Sequence, residues 1–146
     1  MEASGLGQDH QRLRFKGGCL VVLDTSVLLM IYEGVDVIEK LDEALGARCE
    51  YYVTEGVIKE LIRLSTIHQG RKGRAARLAL EYLKGKVNVL YTREDFPVAD
   101  EEIENVVMSI KGFIVATNDK ELRRRLKRLG VRVVTWWEGR GVFVEV

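Results

Sequence analysis

Apolar residues in this chain recur in two rhythms. Unbroken runs such as Leu20-Val21-Val22-Leu23 and Phe113-Ile114-Val115-Ala116 have the length of strands buried on both faces. Between them, apolar positions recur three and four apart, as amphipathic helices require. The first strand starts at about Cys19, after a polar, aperiodic segment from Met1 to Gly18 that reads as a flexible tail. Helices are predicted over Val27 to Tyr32 and Val35 to Leu45, the latter through Val35, Ile38, Leu41 and Leu45 with Gly46 as its stop. A strand over Glu50 to Val53 leads to Thr54, which can cap a helix with Val57, Ile58, Leu61, Ile62 and Leu64 or Ile67 as its buried stripe. Lys59, Glu60 and Arg63 fall off that stripe. A helix over Arg71 to Leu83 and a strand over Val87 to Tyr91 follow, separated by the Lys84-Gly85-Lys86 turn. Pro97 then opens a helix whose apolar positions are Ile103, Val106, Val107 and Ile110. The chain continues with a strand over Phe113 to Thr117, a helix over Lys120 to Leu129 capped by Gly130, and a strand over Val131 to Thr135. Val142 to Val146 adds an edge strand. Such alternation predicts a three-layer α/β/α domain over residues 19–146, with a central, mainly parallel sheet of four to five strands.

Composition narrows the class. With 146 residues and 47% hydrophobic content, the chain suits one core. It contains no apolar stretch near the roughly 20 residues of a spanning helix, nor one fit for a secretory leader, so no membrane partner and a cytoplasmic location are expected. Cys19 and Cys49 lack a CxxC spacing and are expected to fill core positions rather than form a disulfide or zinc site. High charge and a single proline lean towards a heat-adapted source.

The net charge of +1 conceals a segregated distribution. Arg71, Lys72, Arg74 and Arg77 form one basic block; Lys120, Arg123, Arg124, Arg125, Lys127 and Arg128 form another, while acids gather between Glu94 and Glu104. An acidic site flanked by basic surfaces is the expected outcome.

Two of the apolar runs end in an aspartate beside hydroxyl residues: Asp24-Thr25-Ser26 and Thr117-Asn118-Asp119. A buried strand delivers such a residue to the carboxyl edge of the sheet, where open α/β sheets bind ligands. Each aspartate also precedes a helix, so N-capping is the competing reading. Glu60, with Glu55 as a nearby rival, and Asp100 add acids from helices, although a helix start favours carboxylates for electrostatic reasons alone. Four convergent carboxylates repel one another unless a cation compensates. Their hard oxygens suit Mg2+ or Mn2+; zinc ordinarily recruits His or Cys, and His10 and His68 are poorly placed.

In order, the segments ending in Asp24-Thr25-Ser26, Val57-Ile58-Lys59-Glu60-Leu61, Ala99-Asp100-Glu101-Glu102-Ile103 and Ile114-Val115-Ala116-Thr117-Asn118-Asp119 resemble the PIN domain nucleases, including archaeal PIN proteins and PIN nucleases that process ribosomal RNA. The resemblance spans about Leu20 to Val134 and implies a metal-binding catalytic set of Asp24, Glu60, Asp100 and Asp119, with Glu101, Glu102 or Glu104 assisting or replacing Asp100. Thr25, Ser26, Thr117 and Asn118 are then expected to orient carboxylates or metal-bound water. The expected activity is divalent-metal-dependent hydrolysis of RNA phosphodiesters, in RNA processing or as a VapC-type toxin. Arg71, Lys72, Arg74 and Arg77 come first as phosphate contacts, followed by Arg123, Arg124 and Lys127. Trp136, Trp137 and Tyr91 offer faces for base stacking, with ordinary packing as the alternative. RNA is the expected partner; the resemblance adds a homodimer, and the toxin role adds an antitoxin. A catalytically weak or inactive RNA-binding assembly module is the alternative function. A flap-type DNA nuclease normally needs a longer chain.

Overall fold

The computed structural model of the protein describes residues 18–92 and 99–146. The expectations for residues 1–17 and for Pro97 lie outside them. Among the described residues six strands form one sheet: β1 (Leu20–Leu23), β2 (Glu50–Thr54), β3 (Asn88–Leu90), β4 (Phe113–Ala116), β5 (Arg132–Trp137) and β6 (Val142–Glu145). Their spatial order is β3-β2-β1-β4-β5-β6, with every neighbouring pair parallel except β5 and β6. The sixth strand, beyond the four to five of the central sheet, is the edge strand expected at Val142 to Val146, which closes an antiparallel hairpin onto β5.

The helices that flank the sheet are α1 (Thr25–Leu28), which runs into a 3-10 turn over Leu29–Glu33, then α2 (Val37–Leu45), α3 (Glu55–Ile67), α4 (Arg71–Leu83), α5 (Ala99–Ser109) and α6 (Lys120–Arg128). Asp36 caps α2 through the Glu39 amide, and Thr54 caps α3 through the Val57 amide. All residues of β1 and β4 are buried, as their unbroken apolar runs demand of central strands. On α3 the buried stripe is narrower than expected. Val57, Leu61 and Leu64 are buried, whereas Ile62 and Ile67 are exposed, since the 3.6-residue repeat turns them away from the sheet. No helix among the described residues is long and apolar enough to cross a membrane.

The cysteine expectation is corrected. Cys19 and Cys49 form a disulfide with a Cα–Cα separation of 4.6 Å. Parallel register explains it: Leu20 lies opposite Glu50, so the residues just before each strand face one another at the amino edge of the sheet.

Candidate active site

The strand order creates a switch point. From β1 the chain moves to its neighbour β2 on one side, and from β4 to its neighbour β5 on the other. Crossovers leaving in opposite directions open a crevice at the carboxyl ends of the two strands, where ligands bind in open α/β sheets. Asp24 follows β1, and Thr117-Asn118-Asp119 follow β4. The Asp24 amide extends the β1–β4 ladder by donating to the Ala116 carbonyl at 3.0 Å.

Asp24 is only 5% exposed. Its Oδ2 accepts hydroxyl protons from Ser26 and from Thr117, each at 2.7 Å. A hydroxyl has one proton to give, so both are committed to this oxygen and their lone pairs take backbone amides. Thr117 Oγ1 accepts from the Asp119 amide at 3.0 Å, and Ser26 Oγ from the Asn118 amide at 2.9 Å. The Asp24 side chain makes no capping hydrogen bond to α1, which removes the capping reading for this residue. Asp119 differs. Its Oδ1 caps α6, accepting from the amides of Glu121 at 2.8 Å and Leu122 at 3.2 Å. Capping engages that one oxygen; among the described residues, no hydrogen bond reaches Oδ2.

Glu60 reaches the same edge from α3, where its Oε1 accepts from the buried Thr25 hydroxyl at 2.7 Å. Asp100 enters from the first turn of α5, with its carboxylate 3.8 Å from the Arg125 guanidinium. Burial, and then the charges of Asp24 and Asp119 with a smaller push from Glu60, raise the Asp100 carboxyl from 3.8 to about 6, against the pull of Arg125. All four acids thus share one field. Among the described residues, however, no three or more His, Cys, Asp or Glu side chains stand close enough together to hold a metal ion as they are. The donor chemistry, all carboxylate oxygen, fits a hard divalent cation. Three of the four acids have a hydroxyl or guanidinium partner.

The neighbouring acids divide. Glu104 pairs with Arg125, Glu101 is exposed, and Glu102 is buried, accepting from the Gly56 amide at 2.8 Å and the Thr92 hydroxyl at 3.2 Å. A Cβ on residue 56 would stand 2.4 Å from Glu102 Oε1, so glycine is what lets α3 and α5 meet there. Glu55 pairs with Lys59 on the surface. Arg125 was not singled out by spacing alone. Its signal was phase, because it follows the buried Leu122 by three positions and precedes the buried Leu126.

Asn118 acts as a tie between strands. Its Oδ1 accepts from the Trp136 amide at 3.0 Å and the Thr135 hydroxyl at 3.3 Å, and its Nδ2 reaches Met30 Sδ at 3.1 Å. Its contribution to the Asp24 network comes from its backbone amide.

The basic residues occupy two places. Arg71 lies over the Tyr32 ring, 5.5 Å from its centroid, and Arg74 donates to the Tyr32 hydroxyl at 3.1 Å, gathering both at the 3-10 turn that follows α1. Lys72 is exposed, while Arg77 is drawn back to the Ser65 carbonyl at the end of α3, at 2.8 Å. On α6, Arg124 pairs with Glu121 at 2.7 Å; Lys127 is exposed and Arg123 is half-buried. Tyr91 is 72% exposed, Trp137 is 48% exposed, and Trp136 packs edge-on against Phe143.

This arrangement has relatives. Ribonuclease VapC9 of Archaeoglobus fulgidus is 35% identical over 131 residues, covering 86% of this chain and 88% of its own. The rRNA-processing protein FCF1 of Saccharomyces cerevisiae is 28% identical over 111 residues, covering 75% of this chain and 54% of its own. Among solved structures, the PIN domain endonuclease Utp24 superposes with a TM-score of 0.73 at 26% identity, covering 86% of this chain and 90% of the other. Residues 21–138 match the PIN-like domain family, which takes in both strand-terminal aspartates, and the chain belongs to that family.

Proposed function

We propose that the protein is a divalent-metal-dependent endoribonuclease that hydrolyses RNA phosphodiester bonds at the switch-point crevice, with Asp24, Glu60, Asp100 and Asp119 as its metal-directed acids. The observation that carries this reading is that four carboxylates from β1, α3, α5 and the end of β4 share one edge, where burial, and then the charges of Asp24, Asp119 and Glu60, raise the Asp100 carboxyl to about 6. Relatives named as a ribonuclease and an rRNA-processing protein support RNA as the substrate, and one named as a PIN domain endonuclease supports internal cutting.

Asp24 would hold the ion with an oxygen fixed by its strand, while Asp119 would offer the oxygen its cap leaves open and Glu60 and Asp100 would close from their helices. The bound ion would supply Lewis-acid polarisation of the phosphate and activation of water. Ser26 and Thr117 aim Asp24 by donating to its Oδ2, and Thr25 does the same for Glu60. Arg125 partly neutralises Asp100 and Glu104, which limits repulsion at the acidic edge. Arg71, Lys72 and Arg74 are proposed phosphate contacts beside the crevice, with Arg123, Arg124 and Lys127 along α6; Arg77, engaged by a carbonyl, ranks below them.

Incubation of end-labelled single-stranded RNA with Mg2+ or Mn2+ tests this reading. Internal cuts that vanish in chelator are expected; an intact strand under both ions contradicts it. The same names point to two biological settings. Expression in a growing culture separates them: arrest relieved by a small co-expressed antitoxin supports the toxin role, and accumulation of trimmed ribosomal RNA without arrest supports processing. Light scattering tests the homodimer that PIN resemblance suggests.

A further inference from the structure

The β5–β6 hairpin ends at the same edge of the sheet as the acids. β5 runs parallel to β4, so its carboxyl end, Trp136-Trp137, emerges beside Thr117-Asn118-Asp119. Asn118 fastens the two by accepting from the Trp136 amide and the Thr135 hydroxyl. Side chains two apart on a strand share a face, so Trp137 lies on the face of Thr135, ~6–7 Å further out along the strand. Trp136 takes the opposite face, packs on Phe143 and donates its ring N–H to Glu138 at 3.2 Å, so it is engaged in the fold. Trp137 is not so engaged. It is 48% exposed beside its cross-strand partner Val142, itself 38% exposed, and carries the Arg140 guanidinium 5.0 Å from its ring centroid.

A half-exposed indole with a cation over its ring, anchored through the residue preceding Asp119, has the chemistry to receive a stacked base and the phosphate next to it. We infer that Trp137, backed by Arg140, is a stacking platform for a base of single-stranded RNA threading past the acidic crevice. This rests on the endoribonuclease reading for its substrate class. The platform favours single strands, because a paired base has both faces occupied by its neighbours. Arg140 contributes twice, since it stiffens the indole and adds a positive charge on the strand's path.

Fluorescence anisotropy of a labelled single-stranded oligouridylate tests it, using protein that carries Asp119→Asn so that cutting does not complicate binding. Added Trp137→Ala is expected to weaken binding about 5- to 150-fold, the range of one lost base stack. Trp137→Phe, which keeps an aromatic face, should retain most of the affinity, and affinity for a fully paired RNA should change little in either variant. Equal affinity of the alanine and tryptophan proteins for the single strand overturns the platform, as does a failure of the parent to bind it. The two readings fail separately. A protein that never cuts RNA but needs Trp137 to bind it keeps the platform and loses the nuclease; one that cuts but binds equally well without Trp137 does the reverse.

Discussion

Thr117 donates its hydroxyl to Asp24 Oδ2 at 2.7 Å across 93 residues of sequence, and Thr117 Oγ1 in turn accepts from the Asp119 amide at 3.0 Å. One fully buried side chain thereby sets the spacing between the two strand-terminal aspartates. Replacing Thr117 with Val keeps the shape but removes both bonds, leaving a buried carboxylate oxygen short of one donor and an amide without an acceptor. Loss of about 1–3 kcal/mol of stability follows from the unpaired groups. A further 10- to 100-fold loss of Mn2+ affinity or cleavage is expected from the misaligned acid. Thr117→Ser should restore both; chemical denaturation and metal titration of the two variants check this.

Gly56→Ala should act through Glu102. The new Cβ would fall 2.4 Å from Glu102 Oε1, at the contact that holds α3 against α5 and so sets Glu60 relative to Asp100. Crowding at a buried site costs about 1–3 kcal/mol. Measured unfolding free energies should show that loss, and adding Glu102→Ala should recover part of it. Equal destabilisation with and without Glu102 would mean that the clash lies elsewhere.

Asp100 gives a pH signature in the absence of metal. Its carboxyl titrates at about 6 in the fold against 3.8 ordinarily. Between those values the folded chain holds a proton that the unfolded chain has lost, so stability falls as pH rises through the window and the penalty is complete above it. Asp100→Asn should flatten that dependence and raise the melting temperature at neutral pH in chelator. Calorimetric scans across the window check the sign; a variant less stable than the parent at neutral pH would contradict it.

The disulfide predicts a separation of stability from activity. A Cys19–Cys49 bridge with a sequence separation of 30 constrains the unfolded chain by about 3–4 kcal/mol. It sits at the amino edge of β1 and β2, whereas the acids stand at the carboxyl edge. Replacing both cysteines with Ser should lower the denaturant midpoint while leaving the rate of RNA cleavage nearly unchanged below the unfolding transition.

The parts of this structure that could be read from sequence are those governed by local periodicity. The central strands announced themselves because burial on both faces leaves no polar position in Leu20 to Leu23 or Phe113 to Ala116. Asp24 and Asp119 were legible as the points where those runs stop. What escaped depends on register between distant segments. No local pattern sets Cys19 opposite Cys49, because that pairing follows from the parallel alignment of Leu20 with Glu50. Asn118 shows the limit most directly. Its position beside Asp119 suggested a role towards the acids, but the neighbouring strand β5 offers its side chain an amide and a hydroxyl. Capping was readable as an alternative for both aspartates, yet only the hydrogen bonds reveal that Asp119 caps and Asp24 does not.

The central claim is that the strand-terminal acids direct a metal to RNA, and the most direct test is single-turnover cleavage of labelled single-stranded RNA in Mn2+ by the parent, Asp24→Asn and Asp119→Asn. Asp119→Asn retains a capping oxygen for α6, so its fold should persist even where Asp24→Asn proves unstable. Each substitution is predicted to slow cleavage at least about 100-fold, above the range seen when a ligand's outer partner is lost. Cleavage at the parental rate by a folded Asp119→Asn protein would contradict the account.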